Sequence, residues 1–145
     1  MPHDFKANPE LTNQQMQLYY MESPHKQITE SFTATVIKVH DGDTITLNWT
    51  ERTFDFQVRF SNVAAPELNE DGGKEAQEWL ENRLLGQEVD IIIDPANRVE
   101  KWGRLLGRIM QGGVDVGEEE IFQGLVKSWN ARNEGKIIDP VKREI

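Results

Sequence analysis

A chain of 145 residues is long enough to bury one hydrophobic core and short enough to be a single domain. Its net charge of −9 argues against coating nucleic acid by bulk electrostatics, and the absence of cysteine excludes a disulfide framework, a thiolate metal site and a cysteine nucleophile. No apolar run reaches the length of a membrane span, and Met1-Pro2-His3-Asp4-Phe5-Lys6 lacks the basic-then-apolar pattern of a secretory signal, so a soluble protein is expected.

Residues 1–31 are polar and rich in Gln and Asn. Leu11, Met16, Leu18, Tyr19, Tyr20 and Met21 suit one weakly amphipathic helix between Pro9 and Pro24. Such a segment has little apolar surface to bury by itself, so it is expected to be a flexible leader or an arm docked on a partner protein. From Phe32 the texture changes. Phe32 to Val39 alternates as a β-branched strand, Asp41-Gly42 supplies a turn, and Thr44 to Trp49 alternates again. Phe54, Phe56, Val58 and Phe60 give a third strand with one apolar face, followed by a loop through Ala64-Ala65-Pro66-Glu67 to Gly73. Lys74 to Leu85 is expected to be a helix, with Ala76, Trp79, Leu80 and Leu84 on its inner face and Gly86 as its C-terminal cap. Val89 to Ile93 and Leu105 to Met110 are the next strands, then a short Val114–Val116 strand and a helix over Glu118 to Gln123, capped by Asp115 or Gly117. Three strands, a helix, two strands and a helix fit an α+β chain built on a five-stranded closed barrel of the oligonucleotide-binding (OB) type. The division is an extension over 1–31, a barrel domain over 32–129 and a tail over 130–145.

Four short stretches carry chemistry: Asp41-Gly42-Asp43-Thr44, Arg59, Pro66-Glu67 and Trp102-Gly103-Arg104. Gly42 allows the positive φ that a tight turn often needs, and the flanking acids serve as turn formers or as oxygen ligands for a hard cation. Carboxylates facing two separated arginines are what metal-assisted phosphodiester cleavage requires. Any nucleic-acid affinity must come from a local basic site. Arg59, Arg104, Arg108, Lys101 and Lys127 are the candidates, with Lys101, Arg108 and Lys127 read as solvated charges. His40 reads as a strand-end residue, His3 and His25 support no metal site, and Glu118-Glu119-Glu120 reads as complementing a helix dipole.

The stretches VIKVHDGDTITL (36–47), VRFSNVAAPE (58–67), GKEAQEWLENRLLGQEVDI (73–91), KWGRLLGRI (101–109) and EEEIFQGLVK (118–127) together resemble the staphylococcal nuclease (thermonuclease-like) family, in order, over about 32–127. The resemblance implies the same five-stranded barrel and a calcium-dependent nuclease site. On it, Asp43 matches a calcium-ligating carboxylate, Asp41 a nearby acid, and Ala65 a position that offers its backbone carbonyl to the metal. Arg59 matches the arginine that holds the scissile phosphate, Glu67 the carboxylate that activates water, and Arg104 the arginine that steadies the pentacoordinate phosphate. The family pattern has Asp before this position, where the chain has Ala64. Calcium takes roughly six to eight oxygens, and its affinity follows the number of charged ligands, so Ca²⁺ is expected to bind weakly. Asp41, Asn69, Glu70 and Asp71 lie near enough in sequence to compensate. The family's long basic C-terminal helix has no counterpart in 129–145, and Trp102 and Trp129 fall at or near its base-stacking aromatic positions.

Two expectations follow. The first is a weakly active or inactive domain, a binding or structural module in a larger assembly such as a phage or virus particle, contacting a protein through 1–31. The second is an active Ca²⁺-dependent nuclease that hydrolyses DNA or RNA phosphodiester bonds with Glu67, Arg59 and Arg104, with single-stranded DNA or RNA as the expected nucleic-acid partner. The location expected is the cytoplasm or such an assembly.

Overall fold

The computed structural model describes residues 3–129. In chain order these form α1 (Asn13–Tyr19), a 3₁₀ turn (Tyr20–Glu22), β1 (Phe32–Asp41), β2 (Thr44–Asn48), β3 (Phe56–Phe60), β4 (Val63–Ala64), α2 (Gly73–Leu84), β5 (Glu88–Ile92), β6 (Leu105–Gln111), β7 (Val114–Asp115), α3 (Val116–Phe122) and β8 (Lys127–Ser128). The strands run β3-β2-β1-β5-β6-β7, and a parallel pairing of β3 with β6 closes β1, β2, β3, β5 and β6 into a barrel. The expected five-stranded barrel is therefore present. The expected tail over 130–145 lies outside the described residues. Among the described residues no helix is long and apolar enough to cross a membrane.

Alternation explains the barrel. In β3, Phe56, Val58 and Phe60 point into the core while Gln57 and Arg59 face outward. In β5, Val89 and Ile91 point in; in β6, Leu105 and Ile109 do so, with Gly107 between them. A Cβ on Gly107 would sit 2.6 Å from the Ile91 side chain, so the small residue permits the strands' close approach. One end is closed by α2, which buries Ala76, Leu80 and Leu84, with Trp79 partly buried against the same core. Asp115 caps α3, its side chain accepting from the Glu118 backbone N–H.

Two features differ from the sequence expectation. Val63–Ala64 and Lys127–Ser128 pair as a small two-stranded sheet, β4 with β8, where a loop was expected. Two residues are too few for a periodic signal. Glu120 was read with its neighbours as complementing a helix dipole; instead it is fully buried on α3, and neither carboxyl oxygen has a hydrogen-bond partner. Burial first, then the charges of Asp43, Asp41, Asp115 and Glu119, push its pKa up to about 9. It is therefore neutral near pH 7.

The N-terminal arm lies on the barrel. Thr12 caps α1 in a capping box with Gln15. Leu11 and Ile28 are buried. Beside Leu11, Glu10 is buried and meets two arginines, Arg52 from the β2–β3 turn and Arg98 from the β5–β6 loop. Arg98 also donates to the carbonyls of Ile28 (2.7 Å) and Leu11 (3.0 Å) and to Asn13 Oδ1 (3.0 Å). Arg52 donates to the Lys26 carbonyl, and its guanidinium carbon lies 4.6 Å from the Phe56 ring centroid and 5.1 Å from that of Phe54. Nothing in the polar texture of 1–31 announces this anchor, because it consists of three charges far apart in sequence.

Candidate functional site

The register of the barrel gathers the site residues at one end. Thr44 pairs with Arg59 across β2 and β3, and Arg59 pairs with Leu106 across β3 and β6. The β1–β2 turn thus lies beside Arg59, and Arg104, at the entrance to β6, lies beside both. The result is a cleft of about 890 Å³ whose walls include Asp41, Asp43, Arg59, Glu67, Trp102 and Arg104.

Within it a chain of hydrogen bonds runs across the strands. Arg104 donates from Nη1 to the Thr44 hydroxyl (3.1 Å), and that hydroxyl donates to Asp43 Oδ1 (3.1 Å). Asp43 Oδ2 accepts from Arg59 Nη2 (3.1 Å) and from the Ala65 backbone N–H (2.9 Å). Arg59 spends Nη1 on the carbonyls of Phe60 (2.7 Å) and Val63 (3.2 Å), and its guanidinium carbon lies 4.7 Å from the Trp129 ring centroid. Trp129 therefore lies over an arginine, whereas Trp102 stands 70% exposed at the cleft mouth. Arg104 is also held by Glu100 through Nε.

Gly42 was expected at positive φ, but it is not among the positive-φ glycines. It is glycine for room: a Cβ would lie 2.8 Å from the Ala65 Cβ and 2.9 Å from the Ala76 Cβ. The turn is thereby pressed against both the Ala65 loop and α2, which brings Asp43 within reach of the Ala65 N–H. Asp41 Oδ1 accepts from the Asp43 backbone N–H (3.1 Å), as a turn-forming aspartate does. Burial, then its hydrogen bonding and repulsion with Asp43 and the charge of Glu67, raise the Asp41 pKa to about 6. Glu67 is exposed, and it is held only through its backbone, whose N–H donates to Glu70 Oε1 (2.7 Å) and whose carbonyl accepts from the Glu70 N–H (2.9 Å). His40 pairs with the Thr46 hydroxyl (2.7 Å), and burial, then Lys38 and Arg104, lower its pKa.

The donor set does not suit a hard divalent cation. Asp43 Oδ2 accepts two hydrogen bonds and Oδ1 one, Ala65 turns its N–H to the site, and Ala64 contributes a methyl group where another oxygen would be needed. Among the described residues no group of three His, Asp or Glu side chains is placed to hold a metal ion. In this arrangement the Arg59 guanidinium supplies the positive charge next to Asp43. What remains is two guanidinium groups and an exposed carboxylate lining one cleft. Sequence reasoning missed Thr44 as the bridge and Glu100 as the partner of Arg104. A residue four positions before an arginine is a weak signal unless the intervening turn is known.

Residues 57–141 match the family model described as staphylococcal nuclease homologue. A Drosophila melanogaster protein named Staphylococcal nuclease domain-containing protein 1 is 31% identical over 124 residues, which is 74% of this chain and 13% of that protein. The chain thus spans about an eighth of that relative's length.

Proposed function

Because the chain belongs to the staphylococcal nuclease homologue family, we propose that it is a nuclease-fold module that binds single-stranded nucleic acid in this cleft and hydrolyses it weakly or not at all. The observation that carries this reading is Asp43, whose carboxylate already accepts from Arg59, Ala65 and Thr44 while Ala64 leaves a methyl where the family pattern has a second acid. The two arginines suit a phosphodiester: Arg59 is fixed by carbonyls and Asp43, and Arg104 exchanges Glu100 for phosphate. Glu67 is free to orient a water. The site is short of the anionic oxygens that a calcium ion needs, so no metal is assigned to it.

The test is hydrolysis of single-stranded DNA and RNA, with Ca²⁺ and with chelator, by the natural protein, Ala64→Asp and Glu67→Gln. The expected result is binding without appreciable cleavage by the natural protein and Ca²⁺-dependent cleavage by Ala64→Asp. Ca²⁺-dependent cleavage by the natural protein that Glu67→Gln abolishes would overturn the reading of a disarmed site.

A role in a larger assembly is the second reading, favoured by Leu18, Tyr20 and Met21, which stand exposed on the outer side of the arm. The inner side of the arm is committed to the barrel, so a partner protein meets the outer one. Co-purification that survives in the natural chain and is lost in Leu18→Glu/Met21→Glu supports it; identical recovery from both chains counts against it.

A further inference from the structure

A second hollow of about 710 Å³ opens on the other side of Trp102 and Arg104, between the N-terminal arm and the barrel. Its walls include Phe5, Lys6, His25, Phe54, Trp102 and Arg104, and Trp102 and Arg104 also line the first cleft. We propose that this groove is a nucleotide subsite, seating a base and phosphate of the same single strand next to the phosphate held at Arg59 and Arg104. The proposal rests on the reading of the first cleft as a strand-binding site.

Three observations carry it. Trp102 and Arg104 line both the groove and the cleft, so a strand held at Arg104 has the groove beside it. Its walls are aromatic: His25 stacks edge-on to Phe54 at 4.9 Å and Phe5 edge-on to His25 at 6.1 Å, and base stacking on such faces is tolerant of sequence. Its charge is close to balanced and does not repel a strand. Glu10, in the wall, is neutralised by Arg52 and Arg98. Arg104 is paired with Glu100, so Lys6 against Asp55 leaves the groove close to neutral in a chain of net charge −9.

The groove is also preformed. The buried Glu10 anchor fixes the arm, and Asn8 packs against Gly103, which has φ +94°, leaving no space there for a Cβ. The His25 ring is held between the Pro9 carbonyl (2.9 Å from Nε2) and Phe54, which fixes it in the groove wall.

The experiment is fluorescence anisotropy on the full chain in chelator, with an octathymidylate and with a 5′-phosphorylated dinucleotide too short to reach past Arg104. Phe5→Ala is expected to weaken the octanucleotide about tenfold and leave the dinucleotide unchanged. Lys6→Ala, a change at an exposed side chain, is expected to lower the slope of log affinity against log salt by about 0.7 for the octanucleotide alone. If both variants bind the octanucleotide as the natural protein does, the groove proposal falls while dinucleotide binding keeps the cleft reading. If the natural protein binds neither ligand, the cleft reading falls and takes the groove with it. If Phe5→Ala instead dissociates a dimer in light scattering with oligonucleotide affinity unchanged, the groove seats a second copy of the chain and the proposal is overturned.

Discussion

Arg59 and Asp43 form an ion pair of 3.1 Å at the closed end of the barrel, with both side chains about nine-tenths buried. The pair joins β3 to the β1–β2 turn and places a guanidinium directly against the Asp43 carboxylate. Breaking one side leaves a buried charge without its partner, which costs more than the pair contributes by itself.

A double-mutant cycle on this pair should therefore be non-additive. Asp43→Ala and Arg59→Ala are each expected to destabilise by about 3 kcal/mol, and the double variant by clearly less than their sum, with a coupling of about 1–3 kcal/mol. Urea unfolding of the four proteins measures it. Additive losses would mean that the two side chains act independently.

Gly42→Ala tests the packing argument for the Asp-Gly-Asp turn. The new methyl would meet Ala65 and Ala76 at under 3 Å, and the expected loss is about 1–3 kcal/mol. Adding Ala76→Gly should recover part of it, which thermal unfolding would reveal. A glycine needed only for its backbone freedom would show no such rescue.

Glu120 gives a signed pH dependence. Its pKa rises from the ordinary 4.5 to about 9 in the folded protein, so between these values the folded state binds more protons than the unfolded state. Stability contributed by the neutral carboxyl is full below about pH 4.5 and is lost as the pH rises towards 9. Glu120→Leu removes this slope and is expected to be more stable than the natural protein at pH 7 by about 3 kcal/mol. Parallel stability–pH curves for the two proteins between about pH 5 and about pH 8 would rule the explanation out.

Glu10→Ala should release the arm. It leaves Arg52 and Arg98 facing each other in the interior, at an expected cost of about 3–5 kcal/mol. Hydrogen exchange at the Leu11 and Ile28 amides, which donate to the Gln27 and Glu10 side chains, should rise well before exchange in β1 and β5. Unchanged protection of both amides would show that apolar contacts alone hold the arm.

Much of this molecule was written in short-range pattern. The alternation of Phe56, Val58 and Phe60, the helical spacing of Ala76, Leu80 and Leu84, and the motif stretches from Asp41 to Arg104 were all legible, because each is a periodicity or a neighbour relation within a few residues. They determined the barrel, its main helix and which side chains line the cleft. Only the tertiary structure decided how those groups are spent. It committed Asp43 to Arg59, Thr44 and Ala65, placed Glu100 on Arg104, drew Glu10 between Arg52 and Arg98, and sealed Glu120 from water. The physical reason is that charge pairing and desolvation depend on which distant segments meet, a relation that no local period records.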